Sequence, residues 1–195
     1  MRIISGKYRG KKIDIVGIDS TRETQDKIRG AIFNSIYPYT NNLKVGLDLF
    51  SGSGAMGIEG LSRFLDTCYF NDLNKEAYKT TKKNIDACKI DNYKIYNLDY
   101  KECLNELKNV KFDCIFLDPP YKLEVISDII NYVLSNNMLN KDGLIVCEYE
   151  FNFYFNDSKL EIIKEKSYGY KNVKIYMLKE WFLWKSEFIL VVLTQ

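Results

Sequence analysis

From Val45 to Cys147 short apolar runs alternate with stretches of helical periodicity, and that rhythm leaves few folds open to the chain. The runs Val45–Phe50, Thr67–Phe70, Tyr93–Asn97, Phe112–Leu117 and Gly143–Cys147 read as strands. Between them lie a helix ending near Phe64, a helix over Asn74–Cys88, a short one over Lys101–Leu107 and another over Val125–Leu134. The second of these puts Ala77, Thr81, Ile85 and Cys88 on one side. Such alternation predicts a parallel sheet with helices on both faces. After Glu148 the rhythm breaks. Leu160–Glu165 and Val173–Leu178, separated by a turn at Tyr168-Gly169-Tyr170, predict a closing antiparallel pair at the sheet edge. The expected fold is α/β and Rossmann-like, with seven mainly parallel strands.

Ahead of the sheet, Arg2-Ile3-Ile4-Ser5 and Lys12-Ile13-Asp14-Ile15 alternate polar and apolar around Gly6 and Gly10, which predicts a hairpin with a basic loop. Ile28, Ala31, Ile32 and Ile36 then recur at helical spacing over Gln25–Tyr37, with Thr24 as cap and Pro38 as stop. Arg2, Lys7, Arg9, Lys11 and Lys12 meet no acid among residues 1–12, although the net charge of the 195-residue chain is only +2. A basic arm on a near-neutral body suits a polyanion; a solvated charged edge accounts for the charge equally well. The composition shift near residues 38–44 divides the chain into an extension at 1–40, the sheet domain at 41–180 and an apolar tail at 181–195. No role is assigned to that tail.

Cys68, Cys88, Cys103, Cys114 and Cys147 form no Cys-x-x-Cys pair and there is no histidine. Zinc sites of the usual spacing are not expected, and histidine-based triads are excluded. Cys114 and Cys147 fall in strand runs and read as small core residues. Reduced thiols, no signal-peptide pattern and no apolar run long enough for a bilayer predict a cytoplasmic protein.

Gly52-Ser53-Gly54-Ala55-Met56-Gly57 follows a strand and opens a helix, with Asp72 placed 20 residues beyond Gly52. Phe50, Gly52 and Gly54 let a ligand approach the backbone, and Asp72 suits a pair of ribose hydroxyls. NAD and S-adenosylmethionine share that adenosine, so the turn does not separate them. The lack of histidine removes the commonest proton-transfer group of a dehydrogenase. Asp99 suits an adenine edge or, equally, a helix cap. Asp48 is costly to bury unless a methionine-type amino group or backbone N–H groups meet it. Asp118-Pro119-Pro120-Tyr121 ends the apolar run Cys114–Leu117. Its carboxylate, stiff outward-facing carbonyls and aromatic face suit the exocyclic amine of a flat base. Pro-Pro alone would be only a turn. Most of the fifteen tyrosines fall at packing positions, with Tyr8 and Tyr168 as exceptions.

With these residues in view, the chain resembles the bacterial 16S rRNA guanine-N2 methyltransferases (small-subunit rRNA methyltransferase D). The resemblance runs from Met1 to about Leu178. It rests on residues 1–10 (MRIISGKYRG), Thr21–Thr24, Ala31–Asn34, Leu47–Gly54, Ile58–Arg63, Asp118–Tyr121 and Tyr168-Gly169. Glu23 stands where the family usually has Pro, and Gly30 where it has Glu. The resemblance implies S-adenosylmethionine as cofactor, held around Asp48, Phe50, Gly52, Gly54, Asp72 and Asp99. It implies Asp118, Pro119 and Tyr121 at the reacting amine. The implied partner is 16S rRNA in the small subunit or an assembly intermediate, contacted by Arg2, Lys7, Arg9, Lys11, Lys12 and Arg22, with the enzyme acting as a monomer. An adenine-N6 methyltransferase would use the same tetrapeptide. A nicotinamide oxidoreductase and an RNA-binding protein with a vestigial cofactor fold are the more distant rivals.

Overall fold

The chain enters through an irregular segment and a helix, α1 (Arg22–Ile36), before the sheet begins. Then come β1 (Val45–Asp48), α2 (Ala55–Arg63), β2 (Thr67–Asn71), α3 (Lys75–Cys88), β3 (Tyr93–Tyr96) and α4 (Tyr100–Glu106). β4 (Phe112–Leu117), α5 (Ile126–Ser135), β5 (Leu139–Tyr149), β6 (Leu160–Tyr168) and β7 (Lys171–Leu178) complete the order. This computed structural model describes residues 1–16, 22–120, 125–150 and 154–179, without the side chains of 22–25. The tail 181–195 therefore lies outside what is described, and Thr24, the expected cap, falls inside α1, which begins two residues before it.

The seven strands form one sheet in the order β3-β2-β1-β4-β5-β7-β6. The first five run parallel, while β7 pairs antiparallel with both β5 and β6. The order reverses between β1 and β4, the place where open α/β sheets leave a crevice at their carboxyl ends. β4 is buried along its whole length, as its unbroken apolar run requires.

Alternation along the strands builds two cores. Leu47, Ile115, Leu117 and Cys147 face α4 and α5, where Leu104, Ile126, Ile129 and Ile130 meet them. Cys114, Phe116, Val146 and Val173 face the opposite way, toward Ile28, Ile32 and Phe33 of α1, Ile58 of α2 and Ile85 of α3. Burial of each such aliphatic side chain contributes roughly 1.5–3 kcal/mol. All five cysteines are free and buried.

The amino-terminal hairpin exists only in reduced form. A single antiparallel bridge joins Arg2 to Lys12, and Ile3 N donates to Lys11 O at 3.0 Å. Its backbone is claimed instead by α2, whose Glu59 carboxylate accepts from Ile4 N and Ser5 N at 2.8 and 3.0 Å. Ser62 accepts from Tyr8 N through its hydroxyl and from Lys7 N through its carbonyl. Ile3 and Ile13 sink into the core on the α1 side. α1 begins earlier than its apolar spacing predicts and ends at Ile36; Pro38 sits at the start of a 3-10 turn, Tyr37–Asn42. Pro38 lacks the N–H that another α turn would need, and the chain passes into the 3-10 turn there.

Candidate active site

The turn after β1 is tied down on three sides. Leu49 N donates to Phe116 O, Ser51 N to Asn71 O and Gly54 N to Ser51 O. From α3, the Thr81 hydroxyl donates to Gly52 O at 3.0 Å and Asn84 Nδ2 to Ser53 O at 2.8 Å. Gly52 and Gly54 have φ of 54° and 78°, where a side chain strains the backbone. A Cβ on Gly54 would press on Thr81 at 2.9 Å, whereas one on Gly52 would meet nothing within 4 Å. Gly52 thus turns bare backbone toward open space.

Three acids surround this turn. Asp72 accepts from Gly52 N at 2.8 Å through one oxygen and from Asn74 N at 2.9 Å through the other. Asp99 caps α4, accepting from Lys101 N at 2.9 Å, and lines the same cleft as Asp72. The helix-cap reading of Asp99 is thus met, and its place in the cleft leaves the adenine reading open to test. Asp48 is only 4% exposed and accepts from Gly57 N in the first turn of α2 at 2.9 Å. Burial pushes its carboxyl up to about 7; the Gly57 N–H opposes the rise and nearby Asp72 adds to it. Of the two partners expected for Asp48, the backbone N–H is present.

A cleft of about 970 Å³ runs over the strand ends, lined by Phe50, Gly52, Asp72, Asp99, Tyr100, Asp118, Pro119 and Pro120 among others. The Phe50 and Tyr100 rings stand 5.9 Å apart at one side. A smaller pocket of about 210 Å³ opens toward α1, bounded by Asp48, Phe50, Gly52, Asp118, Glu148 and Lys171 with Ile28, Arg29 and Ile32. Gly52 and Asp118 belong to both, so Asp118 faces the junction of the two spaces. Its carboxyl is pushed up to about 8 by burial first and Glu148 second, while Lys171 pulls it down. The side chain is still 49% exposed to the cleft, and that water moderates the shift.

Glu148, Lys171 and Asn71 carry no local signal in the sequence. Asn71 donates to Leu49 O and Leu98 O and accepts from Leu98 N, lacing the ends of β1 and β2 to the segment after β3. Lys171 is ion-paired with Glu148 and lies 3.8 Å from Asp118. Only the pairing of β5 with β7, remote in sequence, could have revealed that contact. Tyr121 lies outside the described residues, and so does the Arg22 side chain.

The basic residues divide. Arg2, Lys7, Arg9 and Lys12 are exposed, and Arg2 and Arg9 share a hollow of about 440 Å³ with Lys27. Lys11 is half-buried, and its ammonium donates to Cys88 O at the end of α3. Lys7 and Lys11 both lie over the Tyr8 ring, at 4.8 and 5.6 Å from its centroid. Arg29 is buried against Asp26 and Glu59 and holds the fold. Among the described residues, no helix is long and apolar enough to cross a membrane.

The model of a family described as conserved hypothetical protein 95 matches residues 1–177. A Bacillus subtilis protein provisionally named an rRNA methyltransferase is 35% identical over 181 residues, covering 90% of this chain and 98% of its own. The ribosomal RNA small subunit methyltransferase D of Haemophilus influenzae is 31% identical over 180 residues, covering 90% and 93%. A solved Escherichia coli structure, provisionally described as a methyltransferase, superposes with a TM-score of 0.81 at 28% identity, covering 92% and 98%.

Proposed function

Because the chain belongs to the family described as conserved hypothetical protein 95, we propose that it transfers a methyl group from S-adenosylmethionine to the exocyclic N2 of one guanine in 16S rRNA. The observation that carries this reading is the meeting of Asp118 and Pro119 with Gly52 and Asp72 in one cleft. Relatives named as rRNA methyltransferases supply the substrate class, and the small ribosomal subunit in the cytoplasm is its setting.

The residues present fit the cofactor. Open space before Gly52 admits a ligand against the backbone, Asp72 and Asp99 offer acceptors for ribose and base, and the Phe50–Tyr100 pair offers aromatic faces. Asp48, with one backbone donor on its carboxylate, suits an amino group. When bound, S-adenosylmethionine supplies an electrophilic methyl group on a sulfonium.

The guanine amine is a poor nucleophile because its lone pair is delocalised into the ring. The Asp118 carboxylate and the Pro119 carbonyl each accept one of its N–H bonds, turning the lone pair out of conjugation and favouring a cationic, tetrahedral nitrogen. Positioning of this kind supplies as much as proton transfer does, about 10²–10⁴-fold for the latter. Tyr121 stacks on the base, contributing roughly 1–3 kcal/mol against the few kcal/mol of unstacking it. Arg2, Lys7, Arg9, Lys11, Lys12 and Arg22 hold phosphates, and such contacts orient the RNA without reading its sequence.

The test is to incubate the protein and labelled S-adenosylmethionine with small subunits lacking the modification, digest the rRNA and identify the nucleoside. N2-methylguanosine is expected. N6-methyladenosine would replace the base assignment by its rival, and unlabelled RNA would end the reading. Asp118→Ala is expected to slow transfer by about 10²–10⁴-fold while cofactor affinity stays within a few-fold.

A further inference from the structure

Asp118 has two charged neighbours that methyl transfer leaves without a task. Cys147 pairs with Leu117, so Glu148 stands beside Asp118 at the carboxyl ends of β5 and β4. Val173 pairs with Glu148, and Lys171 lies two residues along the same strand. Phe116, Val146 and Val173 all belong to the core on the α1 side. Period-two alternation then carries Asp118, Glu148 and Lys171 onto that face together. The Glu148 and Lys171 side chains are 13% and 17% exposed, and both line the inner pocket with Asp118.

A largely buried ion pair does little for stability by itself, so its position at a cavity calls for another account. Ionised Glu148 can only accept hydrogen bonds and Lys171 can only donate them. The pairing edge of guanine offers N1–H and two N2–H donors beside the O6 acceptor. Adenine offers a bare N1 acceptor beside its amine. Two carboxylates around one ammonium match the first edge and not the second.

We propose that Glu148 and Lys171 are the specificity-determining pair for guanine: Glu148 accepts from N1–H, Lys171 donates to O6, and Asp118 keeps the N2 amine. This rests on the amine-methylation reading above. Adenine in the same pocket would set its N1 lone pair against the Glu148 carboxylate and leave both without a proton to share. Sites that hydrogen-bond their substrate reject such mismatches far more sharply than apolar pockets do.

Glu148→Gln tests the assignment on small subunits lacking the modification, with labelled S-adenosylmethionine. Its kcat/KM for subunits should fall at least about tenfold, with cofactor affinity by calorimetry unchanged. A second substrate separates recognition from mere structure. Subunits reconstituted with 2,6-diaminopurine at the labelled guanine keep the 2-amino group but present N1 as an acceptor and position 6 as a donor. The parent protein should prefer guanine at least about tenfold, and Glu148→Gln, whose amide can donate to N1, should narrow that preference. Undiminished transfer by the variant, or equal loss on both substrates, overturns the inference. If the parent protein labels adenine in place of guanine, the guanine assignment and this inference fail together; if it labels no RNA at all, the amine-methylation reading itself has failed.

Discussion

Burial leads the upward push on both Asp48 and Asp118, but only Asp118 has an ammonium beside it, that of Lys171, to draw it back down. The difference has a consequence for stability. Asp48 titrates near 7 in the folded chain against an ordinary 3.8, so between those values the native state holds a proton that the unfolded chain has released. Stability from this group is complete at acid pH and is lost as pH climbs through about 7. Asp48→Asn keeps an acceptor for Gly57 N and carries no charge. The variant should gain on the parent as pH rises from 4 to 8, by on the order of a few kcal/mol, as urea unfolding across that range would measure. A gain that does not vary with pH would mean that Asp48 is ionised throughout.

The segments that hold the site are fastened by α2, which works at both ends. Its first turn donates to Asp48, while Glu59 and Ser62 further along grip the amino-terminal strand-like segment. Glu59 is fully buried, and its carboxylate also receives Arg63 Nε at 2.7 Å and lies 3.5 Å from Arg29 Nε. Glu59→Ala leaves buried Arg29, half-buried Arg63 and two backbone N–H groups without this carboxylate. A loss of about 3–5 kcal/mol is expected, and hydrogen exchange at the Ile4 and Ser5 amides should quicken well before the sheet opens. At this scale the sequence was a good guide where an element is decided locally. Phe112–Leu117 is a strand with the bounds its apolar run predicts, and the helix expected over Asn74–Cys88 forms as Lys75–Cys88, with Asn74 its cap. It misled at residues 1–15, because strand alternation says nothing of a buried glutamate 55 residues away that takes the backbone N–H groups. The site divides the same way. Gly52 and Asp118 stand in contiguous motifs and Asp72 at a set distance from the first, whereas Glu148 and Lys171 meet only through antiparallel pairing of β5 with β7.

Charge at the scale of the whole molecule is nearly balanced, so any hold on RNA has to come from its distribution. Lys7 and Arg9 are exposed and lie away from the cofactor cleft. Replacing both with Ala should weaken binding to rRNA and flatten its salt dependence by up to roughly 0.9 in log–log slope for each phosphate left without its cation. Calorimetry should show unaltered cofactor affinity; an unaltered salt slope would assign these side chains to solvent. The sheet order adds a constraint of a different kind. β7 follows β6 in the chain yet lies between β5 and β6, so this edge cannot be zipped strand by strand in the order of synthesis. While the polypeptide is being translated, the glycine turn and Asp118 leave the exit tunnel first, and Lys171 arrives only with β7, for which β6 has to wait before it can join the sheet. A half-made chain therefore has its acid without the ammonium beside it, and the cavity beside Asp118 gains its last wall only once β7 has paired with β5.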